Sequence, residues 1–323
     1  MVKKVYVAGH NGMVGSAIVR SLKERNSEKE LQIEVASRAE LDLLDQSKTS
    51  EYFKDHQFDE VYMSAAKVGG IYANSTFPAD FIYENLAVQN NIIRSAWETK
   101  VSKLLFLGSS CIYPKLAEQP IKEEALLSGS LEPTNSAYAI AKIAGLQMCK
   151  NYNQQYGTDF RAVMPTNLYG PNDNFHEKDS HVLPALMQRI NEAKELNKTE
   201  VIIWGSGNPK REFMHVNDMA EGCIHVMGLS KNQYFERVLP EYQYLNVGTG
   251  MDVSIKELSL LIAEIVGFTG TLVFDKSKPD GTPRKLLDVS RINEAGWTAK
   301  VELAEGIKDT YNWYLANTAK LRR

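Results

Sequence analysis

The sequence predicts a doubly wound parallel α/β sheet carrying a smaller α/β unit built mainly from late segments. Three observations predict it. Apolar strand-like runs alternate with helical periodicity through the first half of the chain, an order that produces parallel strands joined by crossover helices. A glycine run separates the first strand from the first helix. After Thr166 the rhythm changes to turn formers and shorter segments.

Val5 and Val7 mark a buried strand that ends at Ala8, and helical spacing resumes through Ile18, Val19 and Leu22. Gly9, Gly12 and Gly15 lie between them. Gly9 suits a tight turn, Gly12 lets backbone approach a pyrophosphate, and Gly15 permits close helix–strand packing. A pyrophosphate bound there sits at the positive end of the helix. Strands follow at 31–36, 60–66, 103–108 and 160–165, with helices at 47–56, 78–97 and from Tyr138 to about Tyr156. Gly9, Arg38, Ala65, Ser109 and Pro165 all fall at strand ends, so five termini face one crevice. Later come the polar loop 172–180, a helix opened by His181, a strand at 201–204, a segment 211–216 returning to the first unit and a helix at 218–227. A short strand at 245–248, a helix at 254–266, a strand near 271–274 and a final helix complete the chain. The expected division is residues 1–166 with 213–248 as the sheet domain, and 167–212 with 249–323 as the smaller one.

A chain of 323 residues, 43% hydrophobic, can bury one large or two moderate cores. A formal net charge of -3 with scattered basic residues argues against nucleic acid as a partner. No apolar run reaches membrane-spanning length, and Met1 to Val7 leads straight into a strand, so neither a membrane segment nor a signal peptide is expected. The three cysteines form no C-x-x-C pair, which fits a reducing, cytoplasmic setting. His10, His56, His176, His215 and His225 lack metal-like spacing, and no metal is expected.

Tyr138 and Lys142 stand one helical turn apart on the same face. A lysine ammonium so placed favours the phenolate and would lower the tyrosine pKa. Alone, the pair reads more readily as a half-buried tyrosine beside a solvated lysine. Ser109 follows a strand end, where its hydroxyl either donates to a substrate oxygen or caps its own turn. Cys149 and Cys223 lie on helices and read as small buried hydrophobes. Cys111 instead lies on the loop bordering the crevice, and its thiol can act as a general base. His181 begins a helix whose dipole disfavours imidazolium, although a capping or surface histidine fits the same position.

Gly9-x-x-Gly12-x-x-Gly15, Ser109 and Tyr138-x-x-x-Lys142 together resemble the extended short-chain dehydrogenases, Rossmann-type enzymes that act on nucleotide sugars. The likeness continues in Ala65–Ile71, Leu107–Pro114, Pro133-Thr-Asn, Pro165–Pro171, Ser180-His-Val, Trp204–Gly207, Arg211-Glu-Phe and Pro279–Lys285. It is nearest to the branch that works on GDP-linked 4-keto-6-deoxyhexoses. The resemblance implies 3,5-epimerisation and NADPH-dependent 4-keto reduction of GDP-4-keto-6-deoxy-D-mannose to GDP-L-fucose. It makes Tyr138 the proton donor to the C4 oxygen, assisted by Ser109, with Lys142 orienting the nicotinamide ribose. It makes Cys111 and His181 the base and acid of epimerisation. Dehydratase relatives carry Thr-Asp-Glu where this chain has Ser109-Ser110-Cys111, so water elimination lacks its carboxylates.

The same resemblance assigns NADP(H) to Gly9, His10, Asn11, Gly12, Met13, Val14 and Gly15. It adds Arg38, Leu107, Gly108, Ser109, Ser110, Tyr138 and Lys142. Pro165, Thr166, Asn167, Leu168 and His181 close the cofactor set. Arg38 stands where a carboxylate commonly binds the adenosine ribose, and an arginine there can take a 2′-phosphate. The family often places a second arginine where this chain has Asn11, a departure that bears on phosphate selectivity. Arg189, Trp204, Arg211, Asp280 and Lys285, together with Arg284, are the implied contacts for the GDP-sugar. The family also implies a homodimer through helices 79–97 and 137–156. A single-function epimerase or reductase on another nucleotide sugar is the alternative. A non-enzymatic NADP-sensing scaffold is opposed by the intact Ser109, Tyr138 and Lys142.

Overall fold

The computed structural model describes residues 2–26, 30–176, 180–278 and 280–320. Met1, positions 177–179 of the polar loop and Pro279 lie outside the described residues. The first strand, β1 (Lys3–Ala8), alternates its side chains between two faces of a sheet that is covered on both sides. Tyr6 and Ala8 enter one core, Val5 and Val7 the other. The following elements are α1 (Met13–Arg25), β2 (Leu31–Glu34), α2 (Gln46–His56), β3 (Glu60–Met63), α3 (Ile71–Thr76), α4 (Pro78–Glu98) and β4 (Lys103–Leu107). Next come α5 (Ser136–Tyr156), β5 (Phe160–Pro165) and β6 (Asn167–Tyr169). With β9 (Leu245–Val247), the long sheet has the order β2-β1-β3-β4-β5-β9, every pair parallel.

One face of this sheet packs on Phe53 of α2, Ile92 and Ile93 of α4, and Ile143 and Leu146 of α5. The other packs on Ala17, Ile18 and Leu22 of α1, joined by Met219, Cys223 and Val226 of α7 (Val216–Gly228). Cys149 and Cys223 are buried in these two cores, as small hydrophobes.

The smaller unit contains α6 (Val182–Glu195), β7 (Glu200–Trp204) and β8 (Lys210–His215). After α7 follow α8 (Lys231–Phe235), β9, β10 (Asp252–Ser254), α9 (Ile255–Val266), β11 (Thr271–Asp275), β12 (Arg284–Lys285), α10 (Ser290–Glu294) and α11 (Leu303–Asn317). β8 is the hub: β10 pairs with it antiparallel, β6 and β12 parallel. Its core gathers Leu183, Leu186, Met187 and Ile190 of α6 with Leu258 and Ile262 of α9 and Ile307 of α11.

The strands expected at 31–36 and 60–66 stop at Glu34 and Met63, because the residues beyond them leave the sheet as crevice loops. The stretch after Thr166, read as turn formers, first forms β6, which pairs in register with Phe213–His215. Six short elements (α3, α8, α10, β6, β10 and β12) carry no periodic signature and are set by tertiary partners. Ile292 and Trp297, from the late segment, pack in the core beneath the long sheet.

Candidate active site

All five parallel strands expected to meet the crevice end at one edge, and their loops assemble the site. The glycine turn is built for close approach. Gly9 has φ +85°, which L residues rarely adopt, and a Cβ there would lie 2.7 Å from the Ala65 backbone. A Cβ on Gly15 would lie 2.2 Å from the Gly9 carbonyl oxygen, so α1 is seated directly on the turn. Gly12 occupies the helix N-cap, extended and without a side chain to cap it. His10, Asn11, Met13 and Val14 complete this turn, and His10 Nδ1 is buried with no protein partner. Arg38, on the turn after β2, is largely exposed and makes only a 3.9 Å ion pair with Asp42. A cradle without Cβ atoms, an uncapped helix start and an exposed guanidinium fit a phosphorylated dinucleotide.

Beyond β4, Gly108 is held to the sheet through a 2.9 Å bond from its N–H to the Val163 carbonyl, and a Cβ there would overlap Met164. Ser109 then caps a 3-10 turn over Ser110–Ile112, its Oγ accepting from the Cys111 N–H at 3.4 Å. The same side chain lies in hydrogen-bonding reach of the Tyr138 hydroxyl. Ser109 therefore takes both roles considered for it: it caps the turn and faces the phenol. Buried Ile112 and Tyr113 anchor the turn from below, the Tyr113 hydroxyl donating to Asn246 Oδ1 on β9 at 2.5 Å.

Tyr138 and Lys142 emerge from α5 on one face, both buried. Lys142 Nζ donates to the Leu107 carbonyl at 2.8 Å and lies 4.9 Å from the Phe106 ring centroid. Burial brings its pKa down to about 8. The expected lowering of the tyrosine pKa is not found. Burial raises the Tyr138 pKa, the charge of a Cys111 thiolate adds to the rise, and Ser109 opposes it. Lys142 lies 5.8 Å from the centroid of the Tyr138 ring, and its ammonium is committed to the Leu107 carbonyl. Tyr138 is thus a protonated phenol, the form that can deliver a proton.

Cys111 is partly exposed and accepts a 3.3 Å hydrogen bond from Asn135 Nδ2. Sequence reasoning gave Asn135 no role, although it lies in the quoted Pro133-Thr-Asn stretch. His181 is the N-cap of α6, but its side chain makes no capping bond. The imidazole is open to the cleft yet flanked by protein, and lost hydration lowers its pKa, with the Lys285 charge pushing the same way. Lys285 on β12 stands in register with Arg211 on β8, so two cations lie side by side on neighbouring strands. Burial lowers the Arg211 pKa as well.

Of the remaining GDP-sugar candidates, Trp204 is exposed at the end of β7 with Lys278 Nζ 5.6 Å from its ring centroid. Arg189 reaches the Ile202 carbonyl at 3.2 Å. Asp280 spends both carboxylate oxygens on the N–H and hydroxyl of Ser206, tying the turn after β7. Arg284 pairs with Asp252 at 2.5 Å. Thr166 and Asn167 donate to the Glu212 carbonyl at 3.3 and 2.8 Å, and Pro165 and Leu168 flank them. Glu212 itself is fully buried, its carboxylate taking N–H groups of Thr249, Gly250 and Leu287. Among the described residues no cluster of three or more His, Cys, Asp or Glu side chains could hold a metal. No helix among them is long and apolar enough to cross a membrane.

A family model described as the NAD dependent epimerase/dehydratase family matches residues 5–236. The chain belongs to that family. It is 54% identical over 320 residues to the GDP-L-fucose synthase of Escherichia coli K12, covering 99% of each chain. Among solved structures it is similar to a GDP-L-fucose synthetase from Naegleria fowleri bound to NADP. That match has a TM-score of 0.88 and 27% identity, and covers 99% of this chain and 96% of the other. It is also similar to MlghC, a GDP-mannoheptose C4 reductase from Campylobacter jejuni with NADP bound. There the TM-score is 0.87 and the identity 40%, over 97% and 98% of the chains.

Proposed function

We infer that this chain converts GDP-4-keto-6-deoxy-D-mannose to GDP-L-fucose by 3,5-epimerisation followed by NADPH-dependent 4-keto reduction. The observation that carries this reading is a thiol and a phenol sharing one pocket: Cys111 lies close enough to Tyr138 for its charge to act on the phenol. The 54% identity to a protein of that name supports it. Gly9 to Gly15, Arg38, Leu107 to Ser110, Lys142 and Pro165 to Leu168 are the residues that would hold NADP(H). The cofactor supplies a hydride to C4.

Cys111 removes a proton from a carbon beside the ketone, and the electron pair of the broken C–H bond passes into an enolate. His181 returns a proton to the opposite face; lost hydration and then the Lys285 charge lower its pKa, which makes its imidazolium the readier proton donor. Tyr138 gives its proton to the C4 oxygen as the ketone is reduced, and Ser109 donates to the same oxygen. Arg189, Arg211 and Lys285 supply positive charge for the diphosphate, and Trp204 an aromatic face for the nucleotide end.

The proposed division is 1–166 with 213–248 and 167–212 with 249–323, Ile292 and Trp297 of the second unit packing into a core of the first. A homodimer through α4 and α5, which pack along each other, is the proposed assembly, and the cytoplasm the proposed setting. The test is direct: purified protein with the keto-sugar and NADPH, product configuration read by NMR. GDP-L-fucose is the expected product. A product reduced at C4 but unchanged at C3 and C5 would replace the reading with that of a simple reductase.

A further inference from the structure

We propose that Asn135 is a positioning residue for the epimerisation step, holding the Cys111 sulfur by a hydrogen bond that supports its role as the base. The proposal rests on the function assigned above and names what sustains its base. Asn135 occupies the N-cap of α5, where asparagine is among the favoured residues because its side chain can bond the exposed helix N–H groups. Its side chain makes no such bond. The amide is turned instead toward the loop beyond β4, and Nδ2 donates to Cys111 Sγ at 3.3 Å.

Two further features give this contact its meaning. Ser109 Oγ accepts the Cys111 N–H at 3.4 Å, so the cysteine backbone is held from one side while the amide holds the sulfur from the other. Asn135 Oδ1 is buried and no protein donor reaches it, so the bond from Nδ2 to sulfur is the contact that orients the amide. An N–H donor stabilises an anionic sulfur more than a neutral thiol. The amide therefore favours the form of Cys111 that accepts a proton from carbon. When that proton arrives an S–H bond forms and the C–H pair enters the enolate, and the donor is ready for the next thiolate.

The experiment uses Asn135→Asp and Asn135→Ala beside Cys111→Ser in the full-length protein. Aspartate has the shape of asparagine and caps a helix equally well, so α5 begins as before while the donor to sulfur is replaced by a negative charge; Asn135→Ala removes the donor alone. Cys149 and Cys223 are buried, so alkylation of the folded protein by iodoacetamide reports on Cys111. Expected results for Asn135→Asp are an unchanged melting temperature and alkylation at pH 7 slowed about tenfold. Its kcat for deuterium incorporation from heavy water falls about 10²-fold at unchanged KM. Asn135→Ala shifts alkylation and exchange in the same direction by less. Hydride transfer, run in reverse from GDP-L-fucose and NADP⁺, stays within a few-fold in both. Unchanged alkylation and exchange in both variants, with exchange abolished in Cys111→Ser, overturn the role of Asn135. Normal exchange in Cys111→Ser overturns the assignment of the base itself, and the alkylation rates then still decide whether the amide supports the thiolate.

Discussion

The ammonium of Lys142 donates a 2.8 Å hydrogen bond to the carbonyl oxygen of Leu107, the last residue of β4. This bond fixes α5 against the strand end that carries Ser109 and Cys111. It also leaves a cation buried with a single neutral acceptor, and its pKa falls to about 8 as a result. The ammonium is therefore lost as pH rises through about 8. The kcat/KM for NADPH should decline above that pH, because the charge proposed to position the ribose disappears. For stability the sign is opposite. The unfolded chain binds the extra proton between pH 8 and 10.5, so this group's contribution rises with pH across that window. Steady-state kinetics from pH 6 to 10 check the first statement, and a profile flat to pH 10 would refute it.

Epimerisation and reduction should separate by mutation. Tyr138→Phe keeps the ring but removes the proton, so NADPH oxidation should fall about 10²–10⁴-fold while deuterium exchange continues. Cys111→Ser should do the reverse, since a hydroxyl is far too weak a base to replace the thiol. Mass spectrometry of the recovered sugar nucleotide, alongside absorbance at the NADPH band, reads both steps in each variant. Loss of exchange in Tyr138→Phe would mean that the phenol serves both reactions.

Cofactor choice should depend on Arg38. Its guanidinium is largely exposed, and its 3.9 Å contact with Asp42 is too long to commit it. Arg38→Ala should weaken NADPH by about 1–2 kcal/mol, roughly 5- to 30-fold, and NADH hardly at all. Equal losses for the two cofactors, measured by fluorescence titration, would show that Arg38 does not read the 2′-phosphate.

Gly15→Ala tests the seat of α1. Its added Cβ would lie 2.2 Å from the Gly9 carbonyl oxygen and 2.7 Å from Ser64 Oγ, neither at the end of a long flexible chain. The helix must shift outward, at a cost of about 1–3 kcal/mol in stability. NADPH affinity should fall with it, because the turn and the helix start move together. Calorimetry and titration on the same sample check both, and wild-type affinity in a destabilised variant would separate the packing role from the binding one.

Much of the site was legible because it is written in short spacings. Glycines three apart mark a turn, and Tyr138 with Lys142 marks one face of a helix. His181 before Leu183, Leu186 and Met187 marks a helix start, and α6 begins one residue later. What stayed hidden depends on partners distant in sequence. The side chain of Asn135 could have capped α5, and only the fold shows it turned to Cys111. The helical spacing places Lys142 near Tyr138, yet the Leu107 carbonyl claims its ammonium and burial decides the tyrosine pKa. β6 and β12 are three and two residues long and exist because β8 pairs with both. The resemblance implies Asp280 as a ligand contact, and only the fold shows its oxygens accepting from the N–H and hydroxyl of Ser206.

Glu212 makes the pocket a late event in the life of the chain. Its carbonyl receives Thr166 and Asn167, while its carboxylate receives Thr249, Gly250 and Leu287. Until the last of these leaves the ribosome, a buried carboxylate lacks one of its donors and the rim beyond β5 has no closed partner. At about 5–20 residues per second, synthesis separates Asn167 from Leu287 by on the order of ten seconds. During that interval the long sheet can collapse against the helices already made, but Leu287, Ile292 and Trp297 are still missing from its two cores and the nucleotide-sugar cleft has only one wall. A nascent chain arrested before β12 should therefore recognise the dinucleotide before it can recognise the sugar.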